Sequence, residues 1–123
     1  MEYQSSKSFT DLLVWQEGHR FVLSVYRLSR KFPTEERFSL TNQIQRAVVS
    51  ITSNIAEGFS RRSSKEKVQF YFISLASLAE VQNQLLIARD LGYLPKKDFQ
   101  EMAEKSVIIR KMLNRLVGSI RNA

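Results

Sequence analysis

The sequence predicts an all-α protein: a single domain, residues 1–123, folded as an antiparallel up-down-up-down four-helix bundle. Three observations carry this. Gly and Pro are scarce, 4 and 2 in 123 residues, so little interrupts long elements. Four stretches place apolar residues at helical spacing, and no strand-like alternation competes. The connections between them are short, which makes consecutive helices antiparallel neighbours.

The first helix is expected over about 11–32. Val14, Trp15, Phe21, Val22, Val25, Tyr26 and Phe32 gather on one side at 100° per residue, and Arg20, Arg27 and Lys31 lie together on another. Pro33 stops it, because a residue before proline is pushed out of the α region. The second helix follows over about 39–59, with Leu40, Ile44, Ala47, Val48, Ile51 and Ile55 as its stripe. Gly58 is expected to end it in the left-handed conformation.

Ser63-Ser64-Lys65-Glu66 has capping-box spacing and opens a third helix, about 64–91. Its expected core face is Val68, Phe72 or Tyr71, Leu75, Leu78, Ala79, Leu85 and Leu86. "LGYLP" closes it with Gly92 and Pro95. The fourth helix, about 96–120, lines one side with Phe99, Met102, Ser106, Ile109, Leu113, Leu116 and Ile120. Lys97, Lys111 and Arg115 stand nearly opposite.

Folding the hairpins about their turns sets expected neighbours. Arg46 falls opposite Ser77, within reach of Glu80; Glu57 falls near Lys65 and Glu66; Trp15 lies over Ala56. Gln43, Arg46, Ser50, Ser53 and Glu57 on the second helix, with Ser74, Ser77 and Gln84 on the third, form small faces away from the core. Together with the stray apolar groups Leu13, Leu23, Val107 and Ile108, these suggest burial against another copy of the chain.

Composition narrows the chemistry. The absence of cysteine removes disulfides, thiolate catalysis and zinc–cysteine sites. No run of about 18 apolar residues is present, so no membrane span is expected, and "MEYQSSKSFTD" lacks the apolar centre of a signal peptide. A cytoplasmic location is the expectation. The lone histidine, His19, sits on the flank of its helix with no nucleophile turn to serve. No Glu-x-x-His pair exists for a di-iron bundle, and "EGFSRRSSK" does not match the G-x-x-x-x-G-K-[ST] phosphate loop. No catalytic residue, metal or cofactor is expected, and the chain is read as a non-enzyme.

The charge points elsewhere. Nineteen Lys and Arg against twelve Asp and Glu give +7 and a pI near 10.0, a balance that favours polyanionic partners. Three clusters are candidates for nucleic-acid contact: Arg61, Arg62 and Lys65 at the turn between the second and third helices; Arg20, Arg27 and Lys31; and Lys97, Lys111 and Arg115. The turn has the further attraction of free helix N-terminal amides, although Ser63 and Glu66 compete for them. Among aromatic residues, only Phe59 and Tyr93 are expected outside the core for base stacking.

Several segments together resemble a known family. "VWQ" at 14–16, "FPTEERFSLTNQIQRAVVSITSNIAEGFSR" at 32–61, "SLASLAEVQNQL" at 74–85 and "LGYL" at 91–94 are similar to the bacterial four-helix bundle proteins named for intervening sequences in 23S ribosomal RNA genes. Thr52 stands where the family often has proline, and Ala76 where it often has glycine. The resemblance implies a bundle assembled as a homopentameric ring. It also extends to the accessory protein of diversity-generating retroelements, which implies contact with RNA or DNA and with a nucleic-acid-processing protein. Within the motif, Trp15, Arg46, Asn54, Glu57, Gly58 and Glu80 are expected to be structural, with the two carboxylates held by basic or amide partners. The leading expectation is therefore a basic homo-oligomer that binds nucleic acid. The alternative is a protein-interaction scaffold or accessory subunit without direct nucleic-acid contact.

Overall fold

The computed structural model describes residues 7–123, so the reading of "MEYQSS" lies outside the described residues. Four helices form: α1 (Leu13–Ser29), α2 (Leu40–Ser60), α3 (Ser64–Asp90) and α4 (Lys96–Arg121). Short 3-10 turns at Phe9–Asp11 and Thr34–Glu36 precede α1 and α2. Each helix packs on its neighbours in sequence, and α1 closes the square against α4; the diagonals do not meet. This is the expected four-helix bundle, with the α2–α3 seam its most extensive contact.

The stripe of α2 is as expected: Leu40, Ile44, Ala47, Val48, Ile51 and Ile55 are all buried. Phe21 and Val25 of α1, Leu78 and Val81 of α3, and Met102, Ile109, Leu113 and Val117 of α4 belong to the same core. α1 is shorter than the expected 11–32: it ends at Ser29, while Phe32 turns back into the core. Gln45 Nε2 donates to Ser29 Oγ at 2.9 Å and ties α2 to that end.

On α3 the expected face is corrected. Tyr71 is buried and Phe72 is exposed; Ala79 and Leu86 also face outward, while Val81 and Ala88 take core positions. Ser74, Ser77 and Gln84 are buried too, so they do not form an outer face. Ser74 Oγ donates to the Ile51 carbonyl at 2.7 Å, and the hydroxyls of Ser50 and Ser77 lie 2.7 Å apart. Asn54 Nδ2 donates to the Ser50 carbonyl at 2.8 Å. Ser50, Asn54, Ser74 and Ser77 therefore form the α2–α3 seam itself, where they let two backbones approach and satisfy each other's polar atoms, while Gln84 Oε1 is buried without a partner among the described residues. Ser77 meets Ser50 in place of Arg46, one helical turn from the expected register.

Gly58 is also corrected. It does not end α2, which runs on to Ser60, and the only residue with positive φ among those described is Gly92, at +80°. A Cβ on Gly58 would lie 2.6 Å from Tyr71 Cε1 and 3.1 Å from Phe70 Cβ. Glycine is needed there because the Tyr71 ring lies against the α2 backbone.

Gly92 does act as the expected terminator. Tyr93 N–H donates to the Ala88 carbonyl at 2.9 Å and Gly92 N–H to the Arg89 carbonyl at 3.0 Å, the two bonds of a Schellman ending. Beyond it, the Tyr93 hydroxyl donates to Glu36 Oε2 at 2.8 Å, and Ser39 Oγ donates to Glu36 Oε1 at 2.6 Å. These bonds, Ser39 first, hold the Glu36 carboxyl below its usual range and join the α1–α2 and α3–α4 turns.

Candidate nucleic-acid interface

The turn between α2 and α3 brings Arg61, Arg62, Lys65 and Lys67 together, but two of them have structural tasks. Arg61 donates from Nη2 to Glu57 Oε2 at 3.0 Å, one helical turn back, and its guanidinium stacks 4.7 Å from the Phe70 ring centroid. Glu57 therefore pairs with Arg61, not with Lys65. Lys67 Nζ donates to the carbonyls of Gly58 (3.3 Å) and Phe59 (2.8 Å), closing the C-terminus of α2 from the next helix. Desolvation there pulls the Lys67 pKa down.

The start of α3 is also occupied. Ser63 Oγ accepts from the Glu66 N–H at 3.1 Å and donates to a Glu66 carboxylate oxygen at 3.1 Å. The cap thus satisfies an amide that a phosphate would need and places a negative charge beside it. Arg62 and Lys65 remain exposed and without an ion pair among the described residues.

The α1 cluster is less uniform. Arg20 pairs with Glu17, whereas Arg27 and Lys31 are exposed and unpaired among the described residues. His19 is exposed and stacks on Trp15, with ring centroids 4.8 Å apart, and Phe9 meets the same indole edge-on. Gly18 faces Thr52 and Ile55, which agrees with the expected α1–α2 register around Trp15.

The α4 cluster has the most freedom. Lys97, Lys111 and Arg115 are all exposed, and none belongs to an ion pair among the described residues. Lys111 and Arg115 are four residues apart and share one face. Glu101, on the same helix, is taken by Lys105 at 3.3 Å.

The structure separates the charge by side. Lys96–Arg121 holds seven Lys and Arg against three Asp and Glu, a net of +4. α1 adds a net of +1, from Arg20 and Arg27 against Glu17. α2 is neutral, with Arg46 against Glu57; α3 is neutral, with Lys65, Lys67 and Arg89 against Glu66, Glu80 and Asp90. Because α1 and α4 share one side of the square and α2 and α3 the other, the helices of one side are basic and those of the opposite side neutral, with Arg61 and Arg62 at the turn between the latter.

Other expected site residues stay apart. Arg46 and Glu80 are both exposed, and they form no ion pair, although the Ser50–Ser77 register sets them nearly level. Of the expected stacking aromatics, Phe59 is half-buried under Lys67, and Tyr93 is held by Glu36 and packs on Phe32. Among the described residues the freest aromatic is Phe38, 87% exposed beside Arg37. The sequence signal for it is its place in the "ERFS" turn, outside every helical stripe. Among the described residues no group of His, Asp and Glu is arranged to hold a metal, and no helix is long and apolar enough to cross a membrane.

The fold is similar to a crystal structure of a protein with unknown function from the S23 ribosomal protein family of Bacteroides thetaiotaomicron. The two share a TM-score of 0.80 and 21% identity, over 86% of this chain and 96% of that one. At that identity the likeness shows the fold alone. No curated protein matches the chain. Residues 10–115 match the family described as 23S rRNA-intervening sequence protein, and the chain belongs to that family.

Proposed function

We propose that this protein is a non-enzymatic homo-oligomer that binds RNA or DNA through the basic α1–α4 side. The observation that carries the reading is the division of the surface into a basic side and a neutral one. The neutral side also has an unpartnered apolar face. Phe72, Ile73, Leu86, Ile87 and Leu91 are between 40% and 55% exposed along and just beyond α3, leaving that helix apolar on its outer side as well as in the core. These apolar groups are interspersed with Gln69, Glu80 and Asn83, and a second copy supplies their cover. The surface for assembly is thus the outside of α3 and not the serine seam. We take the number of copies as five, the ring that the family resemblance implies. A ring repeats the basic side in each subunit, so modest phosphate contacts combine.

The test is fluorescence anisotropy with unstructured single-stranded RNA and DNA at two salt concentrations. Each phosphate contact contributes about one unit to the slope of log affinity against log salt. Replacing Lys97, Lys111 and Arg115 together with glutamine is expected to lower that slope by about two to three units. Replacing Arg61, Arg62 and Lys65 should lower it less, since Arg61 is held by Glu57. Light scattering on an Ile73→Glu, Ile87→Glu variant checks the assembly: the mass is expected to fall to that of one chain. Absence of nucleic-acid binding at low salt would favour a scaffold that meets another protein.

A further inference from the structure

The end of the bundle where α2 turns into α3 and α4 finishes is hollow. A cavity of about 320 Å³ opens there, walled by Leu12, Phe59, Leu116 and Ile120. That is within the range of small-molecule sites, and room for roughly ten non-hydrogen atoms at the volume a water takes in the liquid.

Two of the α3 side chains that line this apolar space have a donor to spare. Tyr71 is only 2% exposed, yet its hydroxyl makes no hydrogen bond among the described residues. The ring is buried, but the hydroxyl is not among the fully buried polar atoms: it reaches the cavity and is free to donate to a ligand there. Lys67 lies four residues earlier, on the same helix face, and lines the same cavity. Its ammonium has three N–H groups, and the Gly58 and Phe59 carbonyls take two. Among the described residues the rest of the lining is Ser64, Ser119 and Ala123, and none of these side chains is acidic. Burial pushes the Tyr71 hydroxyl up to about 12 and lowers Lys67, as expected of donors facing a poorly hydrated space. An apolar chamber with one ammonium N–H and one phenol O–H to offer calls for a ligand with an apolar body and an anionic acceptor at its end.

We propose that this cavity binds a small amphiphilic carboxylate of the medium-chain fatty acid class. Its carboxylate accepts from Lys67 Nζ and Tyr71 Oη, and its chain lies against Leu12, Phe59, Leu116 and Ile120. The site is on the bundle end and stands independently of nucleic-acid binding.

The experiment titrates the full chain with octanoate, below its micelle concentration, and follows binding by calorimetry and amide NMR shifts. Octanol serves as the probe with the same body and no charge. Saturable binding of one octanoate per chain is expected, about ten-fold tighter than octanol, as a charge-assisted hydrogen bond implies. Tyr71→Phe keeps the ring in place and should weaken octanoate several-fold while leaving octanol unchanged. Ile120→Trp fills the chamber and should abolish binding of both. Failure of octanoate to saturate, equal affinity for octanol, or octanoate binding that survives both substitutions unchanged would overturn the proposal.

Discussion

Replacing Gly58 with valine is expected to destabilise the protein by about 3 kcal/mol, and with alanine by about 1–2 kcal/mol. Inserting atoms into a packed core costs about 1–3 kcal/mol, and two added methyl groups on a Cβ already in conflict place valine at the top of that range. Alanine conflicts less and recovers about 1 kcal/mol of helix propensity relative to glycine. The conflict is with Tyr71 Cε1, 2.6 Å from the Cβ position, and with Phe70 Cβ, so it is shared between ring and backbone-proximal atoms. Urea denaturation of each variant measures the loss. A double-mutant cycle with Tyr71→Leu identifies the cause. Close approach predicts a coupling of about 1 kcal/mol or more between Gly58→Ala and Tyr71→Leu. Additive effects would instead place the cost on contacts other than the Tyr71 ring, such as that with Phe70 Cβ.

Raising the pH from 9 to 11 is expected to cost the protein about 1.3 kcal/mol of stability through Tyr71 alone. Burial pushes its pKa from 10.0 in the unfolded chain up to about 12 in the fold. The folded state therefore holds a proton that the unfolded chain loses across this window, and stability falls as pH rises through it. Lys67 works in the opposite direction: its lowered pKa means the folded state gives up its proton first, and stability rises toward the ordinary lysine range. Tyr93 is raised as well, chiefly by its hydrogen bond to Glu36. Comparing the protein with Tyr71→Phe by urea denaturation at both pH values isolates the Tyr71 contribution. Equal losses in the two proteins would show that the phenol is not desolvated in the fold.

The legibility of the sequence varies from helix to helix. The α2 stripe can be read residue by residue because its buried positions are apolar and its outward positions are mostly polar. α3 breaks that correspondence in both directions. Ser74, Ser77 and Gln84 are buried, whereas Phe72, Ile73 and Leu86 are exposed, so apolar character does not mark its inner side. The serines sit where backbones come close, and that closeness arises between helices rather than along either one. Gly58 is recognisable as a position needing glycine, but local sequence offers two reasons and only the Tyr71 ring selects between them. Of the basic residues expected on the surface, all but Arg61 are exposed: Arg20, Arg27, Lys31, Arg62, Lys65, Lys97, Lys111 and Arg115. The gathering of the α1 and α4 clusters on one side of the square depends on which helices share an edge, which no single helix reveals.

The serine seam also bears on the order in which the chain folds. α2 and α3 are consecutive, joined by three residues, and Lys67 fastens the turn by binding the last carbonyls of α2. Contacts between adjacent segments close short loops and lose the least chain entropy, so they form early. The hairpin from Leu40 to Asp90 is therefore the expected nucleus, onto which α1 and α4 dock later from opposite ends of the sequence. Pulse-labelled hydrogen exchange should protect the amides around Ile51 and Ser74 before those around Phe21 and Ile109; simultaneous protection would mean that all four helices assemble in one step.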